Sequence, residues 1–263
     1  MKSLTVASWN VCGLRALLRK GTFPDLLTPK PNILCFNETM LQDKHVPEVS
    51  AQLPQYPYQY FSCSQARKGY SGVAVLADSE PLKVTYGLGI PELDTEGRLI
   101  AAEFAEFTVV STYVPNAGAG LVRLEYRTTQ WDAAFRHYLG SLQRSKPVVW
   151  LGDLNVVHGD IDIYDIRGKE DWACCTPQER NSFATTLSHN HLLDTFRLLH
   201  PVERGYSYYS RRNRGAREKK QGWRLDYIVV SQVLQSSLQE AWIRGDVQGS
   251  DHHPVLARFE FII

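Results

Sequence analysis

The sequence predicts a compact α/β domain of packed sheets with helices on the outside. Strand-like apolar segments recur from one end of the 263 residues to the other, and they outnumber the helical ones. No Pro/Gly/Ser-rich linker, low-complexity stretch or short repeat divides them, so one domain over 1–263 is expected.

Taken in order, the expected strands are 4–10, 32–37, 70–77, 98–104, 107–114, 147–152, 225–231 and 254–262. "FTVVSTYV" and "PVLARFEF" have the short, β-rich character of strands in a packed sheet. A helix is expected over 121–142, where Leu124, Thr128, Trp131, Phe135, Tyr138, Leu139 and Leu142 recur at helical spacing. A second helix begins at "TPQER", with Thr176 as N-cap, Pro177 at the first helical position and Glu179 completing a capping box. Strands are not regularly followed by helices, which argues against a TIM barrel. Neither GxGxxG nor GxxxxGK[ST] occurs, so no dinucleotide fold or P-loop is indicated.

The formal net charge of +1 conceals local asymmetry. Between Arg204 and Arg224 stand eight Lys and Arg against Glu218 alone, interleaved with Tyr206, Tyr208, Tyr209 and Trp223. Between Asp153 and Asp171 the balance is acidic. A basic, aromatic stretch suits a polyanion, and clustered carboxylates suit a hard dication, although each is also what a solvated loop looks like. The five cysteines are scattered without CxxC or zinc spacing and are expected to be reduced thiols in an intracellular protein. No apolar run is long enough to cross a bilayer, and "MKSLTVASWN" enters a strand pattern without a leader, so no membrane association is expected.

Polar groups fall repeatedly at strand ends: Asn10, Glu38, Tyr113 with Asn116, Asp226 inside "GWRLDYIVV", and Asp251–His252 before the last strand. "PVVWLGDLNVVHGD" ends an apolar strand in Asp153 and Asn155, two apart and so expected on one side. Any one of them has an ordinary reading as a turn cap, a paired charge or a surface histidine. Together they are what a shared pocket over a sheet edge requires. The chemistry they support is metal-assisted phosphodiester hydrolysis: carboxylates for Mg²⁺, amides for neutral contacts, and a His–Asp pair to act on a phosphate. No GxSxG, HExxH or cysteine–histidine motif points to rival hydrolytic chemistry.

The segments "SWNVCGLRA", "PNILCFNET", "GYSGVAV", "EGRLIAAEF", "YVPNAGAGLVRLEYR", "GDLNVVHGDID", "TPQER", "DTFR", "GWRLDY" and "GSDHHPV" occur in one order from residue 8 to 255. As a set they resemble the exonuclease III type of apurinic/apyrimidinic (AP) endonuclease, in the DNase I-like superfamily, and "VPNAGAGLVRLEYR" is most similar to the eukaryotic-type members. The resemblance implies a four-layer α/β sandwich of two mostly antiparallel sheets flanked by helices. It implies a DNA-repair enzyme that cleaves 5′ to abasic sites in duplex DNA and leaves a 3′-hydroxyl, with Mg²⁺ (or Mn²⁺) as cofactor. Exonuclease and 3′-phosphodiesterase activities fit the same site. The implied metal set is Glu38, Asp251, Asn10, Asp153, Asn155 and His252, with Glu38 principal. The implied catalytic set is Asp153, His252, Asp226, Tyr113, Asn155 and Asn116, with Asp153 as either base or acid. Arg15, Lys20, Tyr70, Asn213, Arg214 and Arg217 are expected on DNA. Tyr209, Trp223 and Leu225 are expected around the abasic sugar. A monomer is expected, nuclear if the source is eukaryotic.

The chain departs from the family pattern at Cys12 and Met40, where relatives usually carry a pairable Asp (or Asn) and Lys; altered metal affinity with surviving chemistry is expected. Ser210 and Ala119 stand where relatives carry a second pocket aromatic and an arginine probing the groove. With Asn213 and Arg214, which fall where eukaryotic-type members carry apolar wedge residues, they predict a roomier pocket, a DNA grip leaning more on charge, and faster product release. Other DNase I-like phosphodiesterases share the Asn10/Glu38/GDLN/SDH skeleton, but "RLEYR", "TPQER" and "GWRLDY" together are not expected in them. A DNA-binding paralogue without catalysis is disfavoured by the retained Asp153, Asn155, Asp226, Asp251 and His252.

Overall fold

Along the strand Val148–Asp153, Val149 and Leu151 point to one side and Val148 and Trp150 to the other, and all four are buried. A strand covered on both faces must be continuously apolar, and that is the sequence it has. The computed structural model describes residues 2–21 and 27–261 and builds two six-stranded sheets around such strands. The first contains β1 (Lys2–Asn10), β2 (Ile33–Asn37), β3 (Tyr58–Ser62), β4 (Val73–Ala77), β11 (Leu238–Ile243) and β12 (Val255–Phe261), in the order β11-β12-β1-β2-β4-β3. The second contains β5 (Lys83–Tyr86), β6 (Leu99–Glu103), β7 (Thr108–Tyr113), β8 (Val148–Asp153), β9 (Leu192–Asp194) and β10 (Asp226–Ser231), in the order β5-β6-β7-β8-β10-β9. Only β1–β2 and β7–β8 run parallel among the described strands; the other neighbours are antiparallel.

Three apolar layers separate four structural ones. Val6, Cys35, Val75, Val109, Leu151 and Ile228 meet between the sheets. Helices α1 (Leu14–Leu18) and α2 (Val46–Ser50) cover the outer face of the first sheet through Leu14, Leu17 and Val49. The short α3 (Pro91–Asp94), α4 (Asp132–Gln143) and α5 (Pro177–His189) cover the second through Leu93, Phe135, Leu139 and Phe183. A last short helix, α6 (Thr195–Leu199), follows β9. The expected four-layer sandwich is therefore present. All eight expected strands form, with Ile262 outside the described residues. The four unexpected ones, β3, β5, β9 and β11, are the outer strands of the two sheets.

The helix expected over 121–142 differs in detail. A 3₁₀ turn holds Ala119–Leu121, and a π-type turn spans Tyr126–Trp131 before α4 begins. The wider turn brings both Arg127 and Trp131 to the buried side. Arg127 Nη1 donates to Glu179 Oε1 at 2.9 Å and to the Asn155 carbonyl, and Nη2 donates to the Leu154 carbonyl at 2.8 Å. Glu179 also closes the expected capping box with Thr176. "RLEYR" and "TPQER" thus clamp the turn that follows β8.

A second buried arginine ties three further motifs together. Arg224 of "GWRLDY" donates from Nε to Asp162 Oδ1 at 2.8 Å and, fork-wise, to both oxygens of Asp194 at 3.1 and 2.7 Å. Arg197 of "DTFR" reaches the same Asp162 oxygen at 2.5 Å. No helix among the described residues is long and apolar enough to cross a membrane.

Candidate active site

The two parallel pairs bring the ends of β1, β2, β7 and β8 to one edge of the sandwich. Asn10 lies beside Asn37, Tyr113 beside Asp153, and Asp226 opposite Asp153 across the β10–β8 ladder. Glu38 follows β2, and Asp251–His252 immediately precede β12. Gly152 is required where the sheets converge: a Cβ there would lie 1.8 Å from the Thr112 carbonyl oxygen. Asn37, which the sequence reading passed over, closes this junction. Its amide donates to the Thr112 carbonyl at 3.0 Å, and its oxygen accepts from the Asp153 N–H and from Ser8 Oγ. A buried amide beside Glu38 was the available signal.

Asp153 is the hub. Its Oδ1 accepts from the Asn155 N–H at 3.0 Å and its Oδ2 from Asn10 Nδ2 at 2.8 Å. The same Asn10 nitrogen reaches Glu38 Oε1 at 2.9 Å, so one amide bridges two carboxylates. His252 Nδ1 lies 2.8 Å from Asp226 Oδ2, and its Nε2 is 3.9 Å from Asp153 Oδ2. Ser207, also unforeseen, accepts the backbone N–H of Asp226 at 3.0 Å and steadies that side. Burial disfavours the imidazolium, but Asp226 and then Asp153 outweigh it and lift the His252 pKa well above that of an ordinary histidine. For Asp153, burial drives the carboxyl up, His252 draws it down, and Asp226 and Glu38 push it up again; it stands above the usual carboxylate range. Burial first, then Glu38 and Asp153, hold the Tyr113 phenol well above its ordinary range, so it stays a proton donor.

A second acidic group opens toward solvent. Cys12, Glu38 and Met40 all adopt left-handed backbone angles (φ 47°, 49° and 53°), a strained geometry that concentrates at functional sites. The Cys12 thiol is pushed up by burial, then by Asp251 and Glu38, with Arg211 offsetting them in part. Arg211 pairs with Asp251 Oδ1 at 3.2 Å. Glu38 and Asp251, both partly exposed, offer the carboxylate oxygens that a hard dication takes. Asp153, Asp226 and His252 also lie close enough to share an ion, with candidate ligand atoms within 4.8 Å of one another. There the imidazole nitrogens of His252 face Asp226 and Asp153, at 2.8 and 3.9 Å.

Several expected residues sit differently from their expected roles. The strand ends at Asp153, so its alternation does not carry on to Asn155, whose φ is 48°. The Asn155 oxygen accepts from Asn116 Nδ2 at 2.8 Å, and its nitrogen donates to the Val114 carbonyl at 2.9 Å. The Asn116 oxygen is taken by the Gly118 N–H, and that of Asn10 by the Cys12 N–H. All three amides are thus engaged within the protein. Tyr208, rather than Tyr209, faces the site: its ring centroid is 4.7 Å from that of His252 and it meets Trp223 edge-on. Tyr209 turns instead toward Tyr206 and His253. Neighbouring residues of an extended segment face opposite ways. Trp223 and Leu225 do stand with Tyr208, over Val157, Ile163, Cys174 and Cys175. Ser210 Oγ accepts from the Arg212 N–H at 3.3 Å.

On the flanks, Arg15 and Lys20 are exposed near α1, with Arg15 3.5 Å from Glu48 and Lys20 donating to the Gly249 carbonyl. The Tyr70 hydroxyl accepts from Arg98 and Arg123, both at 2.8 Å. Asn213 bonds Gln221, Arg214 is exposed, and Arg217 donates to Gln248 and the Ser250 carbonyl.

Residues 7–252 match the model of the Endonuclease/Exonuclease/phosphatase family. The chain belongs to that family. It is 45% identical over 254 residues to a DNA repair nuclease APEX1 of Danio rerio, covering 96% of this chain and 81% of that protein. It is 41% identical over 254 residues to an exodeoxyribonuclease of Bacillus subtilis (strain 168), covering 96% and 98%. Its fold superposes on the AP endonuclease LMAP from Leishmania major with a TM-score of 0.90 at 31% identity, covering 99% of this chain and 89% of that one. Family membership makes the chain an enzyme of the nuclease and phosphatase class, metal-dependent as that family is, and the acidic edge of the sandwich is where such chemistry has its donors.

Proposed function

We propose that this family member is a DNA-repair nuclease that hydrolyses the phosphodiester 5′ to an abasic site in duplex DNA, with Mg²⁺ bound at Glu38 and Asp251. Both sheets supply the site, so residues 1–263 act as one catalytic domain. The observation that carries the reading is the buried row Asp226–His252–Asp153, joined to Glu38 through the Asn10 amide. The ion, when bound, neutralises phosphate charge. The chain's own groups do the rest. Asp153, its carboxyl raised toward neutrality, takes a proton from the attacking water. The water oxygen bonds phosphorus and the P–O3′ bond breaks; the leaving oxygen takes a proton from solvent to become a 3′-hydroxyl, and Asp153 returns its proton to solvent. His252 and the Tyr113 phenol donate to the phosphate oxygens as negative charge builds. Asn10, Asn116 and Asn155 position the carboxylates and the turn after β8.

The apolar cluster of Tyr208, Trp223 and Leu225 beside His252 is the proposed recess for the abasic sugar. A nucleotide without a base has least stacking to lose on entering such a recess, which is the physical basis for abasic selectivity. Arg15, Lys20, Arg214 and Arg217 supply sequence-independent phosphate contacts, and Tyr70, held by two guanidiniums, offers its one proton outward. The test is a duplex holding one abasic analogue, incubated with Mg²⁺ and either the parent or Asp153→Ala. Incision by the parent alone, leaving an end that a polymerase extends, is expected; binding without incision overturns the reading.

Two further outcomes follow from the site. Tyr208→Ala is expected to lower kcat/KM on the abasic duplex by roughly tenfold or more, the worth of one buried aromatic contact, and by more than Tyr209→Ala does. Equal losses would return Tyr209 to the pocket. Cys12→Asp with Met40→Lys is expected to shift the Mg²⁺ titration, followed by calorimetry as well as by rate, because it puts a carboxylate within electrostatic reach of Glu38 and Asp251. An unchanged titration would show that position 12 does not sense the ion.

A further inference from the structure

Behind the Tyr208 wall lies a second cavity, of about 740 Å³, on the side to which Tyr209 turns. Tyr164, Tyr206 and Tyr209 line it with aromatic rings. Arg204, Arg217, Lys219 and Lys220 line it with positive charge, and no carboxylate side chain is among its lining residues. The two arginines are fixed in place. Arg204 donates to the Tyr164 carbonyl at 3.1 Å and to the Tyr206 hydroxyl at 3.2 Å, and Arg217 to the Ser250 carbonyl at 2.6 Å. Both anchors are neutral, so neither guanidinium loses its charge to a carboxylate. Lys219 and Lys220 are exposed and make no ion pair among the described residues.

Four concentrated positive charges around a concave surface call for an anion, and their spread over the cavity suits several phosphates better than one. The tyrosines add what phosphate alone does not need: flat π-faces on which an unstacked base can lie. The cavity and the apolar recess share a wall, since Tyr208 and Tyr209 are consecutive and face opposite ways. We propose that this cavity binds an unpaired nucleotide segment of a DNA strand, its phosphates on Lys219, Lys220 and Arg217 and a base against Tyr164 or Tyr206. The choice of DNA as the polyanion rests on the function proposed above. The consequence is a preference for substrates with unpaired nucleotides near the cleavage point, such as frayed ends or gaps.

The experiment measures binding of a fluorescent oligothymidylate by anisotropy in EDTA, where no cleavage occurs, to the parent, to Lys219→Ala with Lys220→Asn, and to Tyr164→Leu. Asn suits the left-handed backbone at Lys220, whose φ is 53°. The expected result is a loss of about tenfold in single-strand affinity for either variant. The lysine variant should also lower the salt slope by roughly 0.7 per charge removed. Incision of a fully paired abasic duplex, measured on the same preparations, is expected to stay within about twofold. Unchanged oligothymidylate affinity in both variants overturns the proposal. So does thymidine monophosphate displacing the strand at equal nucleotide concentration, which would make this a free-nucleotide site. A parent that binds the strand as described but fails to incise the abasic duplex removes the function proposed above and leaves the cavity's assignment standing.

Discussion

Asp153→Asn is expected to lower kcat on an abasic duplex by roughly 10²–10⁴-fold, the span of a positioned general base, while duplex affinity changes little. The asparagine keeps the volume and the oxygen that accepts the Asn155 N–H, but it removes the charge facing Asn10 and His252. Its amide nitrogen also meets the Asn10 Nδ2 donor in place of Oδ2, a lost hydrogen bond that accompanies the chemical loss. Burial and the neighbouring Asp226 and Glu38 hold the Asp153 carboxyl above its ordinary range despite His252, so the acid limb of the parent's kcat/KM profile is expected above that range too. The same shift has a stability consequence. A carboxyl whose folded pKa exceeds the unfolded value binds its proton more tightly when folded, so stability falls as pH rises through that interval. Replacing it by a neutral amide should remove this pH dependence from the melting temperature, at the cost of no more than the one Asn10 hydrogen bond. A variant that loses activity and melts several degrees lower would show that Asp153 holds the fold and would remove it from the chemistry.

Arg224→Met is expected to cost about 3–5 kcal/mol of stability, because it leaves the Asp162 and Asp194 carboxylates buried beside a neutral side chain. For a chain of this size that corresponds to a fall in melting temperature of roughly 10 °C, readable by calorimetry. Arg224→Lys should lie between, since one ammonium cannot reproduce the fork that spans both aspartates. Burial alone would raise the Asp162 carboxyl, but Arg224, the Gly159 N–H and Arg197 together hold it below its ordinary range. Its contribution is thus present above the unfolded carboxylate pKa and lost as pH falls through the depressed folded value. Without Arg224, acid unfolding should begin at higher pH. Activity per folded molecule, measured well below the melting point, should stay near the parent's, because Arg224 touches no group of the Asp153–His252 row. If activity per folded molecule collapses while melting is unchanged, Arg224 belongs to the site.

The sequence by itself determined the inner architecture. The strands it revealed are the eight that carry a neighbour on either side, where burial leaves a run of apolar residues as its trace. It also determined which strand ends carry polar groups, because a carboxylate or amide at the end of such a run is conspicuous wherever it lies. The tertiary structure alone decided the rest. The outer strands β3, β5, β9 and β11 are half covered and partly polar, so they acquire their conformation from the neighbour they pair with. The partners of Asn10, Asn116 and Asn155 depend on groups that arrive from other strands, and no spacing along the chain reveals which amide atom faces a carboxylate. Tyr208 and Tyr209 are equivalent in sequence, and only the pairing of Tyr208 with Trp223 and His252 assigns one to the recess and the other to the cavity behind it. Arg127 and Arg224 look like charged surface residues until two aspartates, a glutamate and a turn's carbonyls are folded around them.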